Sequence, residues 1–411
     1  MEGGMTGADR RAFMKKAFWG TLSAAWGSAS LSFIHPAPAR PGRFGRNGMF
    51  YRRLGRTELE ISEVSLGGSP LPDWGVLMQA VERGVNYIDT SHSYQNGNSE
   101  RAVGRLFKQF GRDKLFVHTR FHLRGSWSEQ SIIQSVEGSL RRLATDYVDV
   151  LGIHGVSDPA HLTDERVLSA FERLKKEGKF RFRGLSCHTN HQDVIPAAVE
   201  CGLYDMITMA YNVFDIQETE AEIETYDDYL GASGIRRLIS LAHSQDIGVV
   251  AMKTLKVGGR RQNLAKYTAG DTTLFQAMIK WVLANPQVSA AIVEMLTFSQ
   301  LEEDLAVIGQ ALSPSEQHTL YRFVAERGRN YCHMCGRCRA KCPAGLPIPD
   351  ILRLLAYHEG YRKTQRAQKA YAGLKSNEKA PACRDCAQCE KVCPYRISVR
   401  TQIRRAHELL G

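Results

Sequence analysis

Eight of the ten cysteines in this 411-residue chain fall into two copies of one pattern. Cys332, Cys335, Cys338 and Cys342 precede Pro343, and Cys383, Cys386, Cys389 and Cys393 precede Pro394. A C-x₂-C-x₂-C-x₃-C-P run wraps three thiolates round one cubane and sends the fourth to another. The duplication therefore predicts two [4Fe–4S] clusters, with Cys342 and Cys393 as cross-ligands. Zinc more often takes isolated C-x₂-C pairs, and disulfides would leave the duplication unexplained. Far upstream, residues 84–101 read GVNYIDTSHSYQNGNSER. Val85, Tyr87 and Ile88 make a short apolar strand ending at Asp89, and a polar turn leads through Tyr94 into a helix beginning near Ser99. A carboxylate and a phenol at the carboxyl end of a strand could hold and move a proton, and in an α/β barrel that end carries the active site.

The elements that must position these groups follow from hydrophobic periodicity. Strands are expected at Val64–Gly67, Val85–Asp89, Leu115–Thr119, Tyr147–Ile153, Phe180–Ser186, Met206–Tyr211, Ile247–Met252 and Val288–Val293. Eight apolar, β-rich runs, each followed by a helical pattern, argue a (β/α)₈ TIM barrel over residues 50–327. Before it, YRRLGRTELEIS reads as two short strands around a turn. Ser313-Pro314-Ser315-Glu316 supplies an N-cap, a proline at the first helical position and a capping glutamate, so it opens a last barrel helix running to about Arg327. The acidic loop Asp215–Asp228 reads equally as a substrate lid or a solvated insertion. No GxGxxG stretch follows a strand, so a Rossmann domain is not indicated. Between the cysteine motifs, residues 348–374 are helical in period, so residues 328–411 form a small α-helical iron–sulfur domain.

The stretch around Asp89 and Tyr94 resembles the signature of the aldo-keto reductase superfamily. That resemblance implies a hydride exchanged between a nicotinamide and a carbonyl, with a catalytic tetrad at Asp89, Tyr94, Arg120 and His154. Where the family has lysine on the third strand, this chain reads VHTRF and presents Arg120, a planar cation that stays protonated. A cation beside Tyr94 would make its hydroxyl a usable proton donor. The resemblance also implies a tightly held NAD(P). It places Ser186 and Cys187 where the family grips the carboxamide, Lys253, Leu255 and Gly259 over the pyrophosphate, and Thr297, Glu303 and Asp304 near the adenosine. Each tetrad residue has a plain structural alternative: a buried ion pair, a packed tyrosine, a core histidine. His92, His118, His122 and His188 read as neutral or substrate-loop residues; of the two remaining cysteines, Cys187 and Cys201, both in the barrel, Cys187 reads as a buried, inert thiol. The C-terminal segment resembles the α-helical two-cluster ferredoxins of succinate dehydrogenase iron–sulfur subunits.

Charge and the N-terminus bear on partners and location. The formal charge of +11 lies entirely beyond Gly328, where 17 Lys and Arg face 6 Asp and Glu, against 37 and 37 upstream. Two oxidised clusters with their thiolates carry about −2 each, which the basic residues offset. A redox partner protein or quinone-linked acceptor is expected, and no nucleic acid, since no recognised module or basic stripe is present. Residues 9–16 read DRRAFMKK, followed by an apolar, small-residue run to Ile34 and an Ala-x-Ala site at Ala37–Ala39. Residues 1–39 thus resemble a twin-arginine export signal and 40–49 a linker. The chain would leave the cytoplasm folded, through the twin-arginine machinery, for a periplasmic or other extracytoplasmic site without a stable membrane span. Two functions stay open: an oxidoreductase acting on a small carbonyl or alcohol, and a binding or electron-transfer protein on a barrel that has lost hydride chemistry.

Overall fold

The computed structural model describes residues 43–44, 48–123, 125–217, 234–255, 264, 266–328, 331–361 and 363–411. Residues 1–39, where the export signal is expected, most of residues 40–49, Gly259 and most of the acidic loop lie outside the described residues. Residues Pro38–Gly411 belong to one compact unit.

Eight parallel strands close into a barrel: β4 (Val64–Gly67), β5 (Tyr87–Asp89), β6 (Phe116–Phe121), β7 (Val148–Val156), β8 (Phe180–Cys187), β9 (Met206–Ala210), β10 (Gly248–Met252) and β11 (Ala290–Val293). Chain neighbours pair in turn, and β11 closes on β4 through Ala291↔Val64. The β-rich runs end within a few residues of where the sequence places them. A three-stranded antiparallel sheet precedes the barrel, β1 (Arg43–Phe44), β2 (Phe50–Arg53) and β3 (Glu60–Ser62). Its Leu54, Leu59 and Ile61 pack with Tyr87, Val150, Met206, Val250 and Ala290 in one buried cluster, so the hairpin plugs the barrel's amino end.

Alternation then fixes which side chains reach the other end. On β5, Tyr87 joins that interior cluster while Ile88 joins the outer core against the helices, so Asp89 returns to the interior one layer higher. The same period puts His118 and Arg120 of β6, and Gly152 and His154 of β7, on the inner face. Between Ile153 and Val156 the β7–β8 register shifts. Such an irregularity re-aims side chains at a strand end, here at His154.

The last barrel helix, Pro314–Arg327, carries the expected capping box: Ser313 Oγ accepts from the Glu316 amide and Glu316 from that of Ser313. Glu316 also forms an ion pair with Lys280 at 2.7 Å, both side chains buried. Beyond Gly328 the fold is helical, with a separate core of Leu346, Ile351, Leu355, Tyr371 and Ile403 around the cysteines.

Lys280→Met should therefore lower the unfolding free energy by about 3–5 kcal/mol, because it strands a buried carboxylate; denaturant titration reads this directly. Burial raises the Glu316 pKa, but Lys280 and the Ser313 amide bring it below its ordinary 4.5. The stabilisation is accordingly full above pH 4.5 and is lost as pH falls through the lower folded value. The variant should lose this acid limb.

Candidate functional site

The ends of β5, β6 and β7 bring three of the four tetrad residues together, and the turn after β5 delivers the fourth. Arg120 Nη2 donates to Asp89 Oδ1 and, at 3.0 Å, to Tyr94 Oη. Its Nε and Nη2 also face the Thr90 carbonyl at 3.4 and 3.3 Å. Asp89 Oδ2 lies 3.3 Å from His118 Nδ1. Arg120 leads the large, fully buried side chains among the described residues. Room for it comes from Gly152, its register partner on β7: a Cβ there would stand 3.1 Å from Arg120 Cγ and collide with His118 Nε2.

Tyr94 is held by its loop. Gln95, Asn96 and Gly97 all take positive φ (44°, 54° and 85°), a reversal for which Asn and Gly are suited. The helix that follows, Asn98–Phe110, is pinned by Thr90 and Ser99, whose hydroxyls are 2.7 Å apart. Buried Glu100 accepts from Thr119 Oγ1 and Arg142 Nε, both at 2.6 Å.

The electrostatics differ in one respect from the sequence expectation. Burial pushes the Tyr94 phenol up to about 12 against the opposing pull of Arg120. Desolvation outweighs the cation, so Tyr94 stays protonated at neutral pH. It accepts from Arg120, which leaves its own proton for a ligand in the cleft. His154 is held well below 6.5, first by burial and then by Arg120 and the neighbouring histidines. It is neutral at physiological pH.

Those neighbours are what sequence reasoning missed. His122 stacks on His154 with centroids 4.1 Å apart and planes at 14°. His92 lies 5.2 Å from His122, and His188 lies 5.8 Å from His154. A file of polar contacts runs alongside: His154 Nδ1 to Ser91 Oγ at 3.0 Å, Ser91 to Ser93 at 3.3 Å, Ser93 to His122 Nε2 at 3.0 Å. The Ser91 hydroxyl donates to the Arg120 carbonyl at 3.3 Å, which ties this file of contacts to the strand that carries the buried cation. A signal existed in the sequence: a histidine stands at, or within three residues of, the ends of four consecutive strands. Among the described residues no three His, Cys, Asp or Glu side chains converge as a single metal ion requires; the histidines form a stack, not an ion site.

A cleft of about 390 Å³ opens over Asp89, Tyr94 and His154. Lys253 and Leu255 line it, as does Glu294. The other described residues tied to the cofactor by resemblance have different surroundings and are not in its lining. Ser186 Oγ accepts from the Gly155 amide at 2.9 Å. Cys187 belongs to the outer core, donates to the Thr189 carbonyl and has its pKa raised by burial. Thr297 caps the helix Phe298–Leu305, Glu303 accepts from Thr273 Oγ1 at 2.6 Å, and Asp304 is fully buried. The far wall comes from the C-terminal domain: Arg353 and Tyr357 of helix Ile348–Glu359, then Tyr361, Lys363 and Arg366.

The cysteine motifs fold as two copies of one shape. Positive φ occurs at Met334, Gly336 and Gly345 in the first and at Asp385, Ala387 and Arg396 in the second, equivalent places counted from each motif's first cysteine. Short helices, Arg337–Ala340 and Gln388–Lys391, follow at the same offset. The charges acting on the Cys338 thiol come from Cys332, Cys335, Cys393 and Cys389, so Cys393 of the second motif stands beside the first. An all-thiol donor set arranged in this way suits cubanes, which space their sulfurs further apart than a single ion does. A second, smaller cavity shares Lys253, Arg353, Tyr357 and Tyr361 with the cleft and reaches His333 and Met334, between cluster cysteines.

Residues 75–269 match the aldo/keto reductase family, and residues 325–394 match the 4Fe-4S dicluster domain. The chain is 28% identical over 278 residues to the uncharacterized oxidoreductase YqkF of Bacillus subtilis, spanning 62% of this chain and 89% of that one. It is 26% identical over 311 residues to L-galactose dehydrogenase of Arabidopsis thaliana, spanning 66% and 91%. Among solved structures, an aldo-keto reductase from Klebsiella pneumoniae in complex with NADPH superimposes with a TM-score of 0.53 at 22% identity, over 67% of this chain and 95% of that chain. That likeness shows the fold.

Arg120→Met should cost about 3–5 kcal/mol by leaving Asp89 buried and unpaired. Arg120→Lys, which keeps the charge, should recover most of that loss in the same denaturant titration. Equal destabilisation by both would mean that packing, not charge, holds the site.

Proposed function

We propose that this chain is an oxidoreductase with an electron-transfer module that interconverts a carbonyl and an alcohol in the barrel mouth, a reading supported by the matches to the aldo/keto reductase family and to the 4Fe-4S dicluster domain. The observation that carries this is the Arg120 contact with both Asp89 and Tyr94 Oη. Tyr94 donates its proton to the forming alkoxide, His154 orients the oxygen, and the Asp89–Arg120 pair fixes the phenol between them. A nicotinamide would supply the hydride; Lys253, Leu255 and Glu294, at the ends of β10 and β11, are the lining residues placed to hold it. The eight motif cysteines would hold two [4Fe–4S] clusters, which move electrons singly to or from a redox partner protein or a quinone-linked acceptor.

The export reading rests on sequence alone: paired Arg10 and Arg11, an apolar run, and Ala37–Ala39. Among the described residues no helix is long and apolar enough to cross a membrane. An extracytoplasmic enzyme meets little free nicotinamide, so the dinucleotide would travel already bound. A second reading, a barrel serving only binding or electron transfer, is favoured by Arg120 in place of lysine and by the Tyr94 phenol at about 12.

Two measurements separate the readings. Anaerobically purified mature protein, denatured, should release near-stoichiometric nicotinamide; none released, and no binding of added NAD(P)H, would sink the hydride mechanism. Tyr94→Phe should cut turnover by about 10²–10⁴-fold while leaving the cluster absorption spectrum unchanged. Because Tyr94 holds its proton up to about 12, wild-type carbonyl reduction should show no alkaline fall attributable to it between pH 6 and 9.

A further inference from the structure

The cleft is walled by two domains, and its cations come from both. Resting on the reading of this cleft as the substrate pocket, we propose that the substrate is anionic, its carboxylate or phosphate gripped by Arg353, Lys363 and Arg366, beside Lys253 on the cofactor side, while its carbonyl reaches Tyr94 and His154. Among the described residues the lining holds these four cations against two carboxylates, Asp89 and Glu294, and Asp89 is committed to Arg120. Arg353 gives Nη2 to Asp350 at 2.8 Å, but its Nε is buried without a partner among the described residues. A planar fork with an unused donor suits a two-oxygen anion.

The fields of the four cations meet at one place. Burial raises the Tyr357 phenol, yet Lys253, Arg353, Arg366 and Lys363 together bring it below its ordinary 10.0. Arg366 lies over the Tyr357 ring at 5.6 Å. His188 is pushed well down by burial first, then by Lys253 and Arg353. These cations come from three segments: the loop after β10, the helix Ile348–Glu359, and residues 363–366 around the start of the next helix. Gathering like charges in a concave site costs free energy that a bound counter-charge offsets. On a plain solvated face they would spread apart. Tyr357 stands on the wall between the cleft and the smaller cavity, so an anion seated there would also screen the cations from the cluster motif behind it.

The test compares glyceraldehyde with glyceraldehyde 3-phosphate as substrates for the full-length holoprotein and for Lys363→Gln and Arg366→Gln. NADPH affinity and binding of the phosphorylated aldehyde are followed in parallel by calorimetry. The proposal expects the wild type to favour the phosphorylated aldehyde in kcat/KM. That preference should shrink about tenfold with each cation removed, the worth of one charge-assisted hydrogen bond. NADPH affinity should stay the same. Loss of NADPH affinity with an unchanged preference would assign the cations to the dinucleotide phosphates and overturn the proposal, as would a preference that is absent or insensitive to both substitutions. Should neither aldehyde turn over, binding of glyceraldehyde 3-phosphate that weakens in both variants would uphold the anion site while removing the proposed reaction; absence of that binding would overturn both.

Discussion

A carboxylate and a guanidinium buried together at the barrel mouth set the terms for everything around them. Asp89 and Arg120 are 4% and 1% exposed, and neither could keep its charge there alone, since desolvation of a lone ion costs more than a barrel of this size can spare. The pair therefore demands its surroundings. Gly152 must lack a side chain, the Thr90 carbonyl must face inward, and Glu100 must lock the following helix to β6. The same burial that makes the pair expensive lifts the Tyr94 phenol, so stability and chemistry at this site are set by one quantity, the exclusion of water.

That exclusion is not achieved by the barrel alone. Tyr357 and Tyr361 contribute aromatic surface over the mouth, and Arg353, Lys363 and Arg366 bring charge. Contact between the two folds continues at Asp215, whose carboxylate is 3.6 Å from His333 Nδ1, and His333 in turn stacks on Tyr395 at 3.5 Å. The barrel loop after β9 thereby touches His333 of the first motif, which in turn stacks on Tyr395 beside the second. A cleft and a cysteine-rich domain that share walls are held at fixed separation.

Much of this was legible in the chain because its signals are local. Strand positions follow from apolar runs such as Val64–Gly67, the last barrel helix from Ser313 and Glu316, and the cluster motifs from cysteine spacing. Asp89, Tyr94, Arg120 and His154 could be named because strand ends in a barrel meet at one face. What could not be read were contacts without a sequence period. The histidine stack draws on β7 and on the loops after β5, β6 and β8, and His92, His122 and His188 each look alone like a neutral residue. Arg353 and Tyr357 lie on what reads as an ordinary amphipathic helix, and nothing in its pattern says that one edge faces a cleft whose Asp89, Tyr94 and His154 lie far earlier in the chain. Ser186 and Cys187 show the converse: position along a strand is legible, but neighbouring residues point to opposite faces, and only Ser186 looks inward.

The helix that bears Arg353 and Tyr357 lies between the two cysteine motifs, in the last fifth of the chain. A ribosome completes the barrel first and leaves its mouth uncovered. Where folding of the thiol-rich segment waits on its inorganic partner, so does the roof over Tyr94. A chain that never acquires iron and sulfide would then lack not only its electron carriers but also the wall that Arg353 and Tyr357 give the cleft.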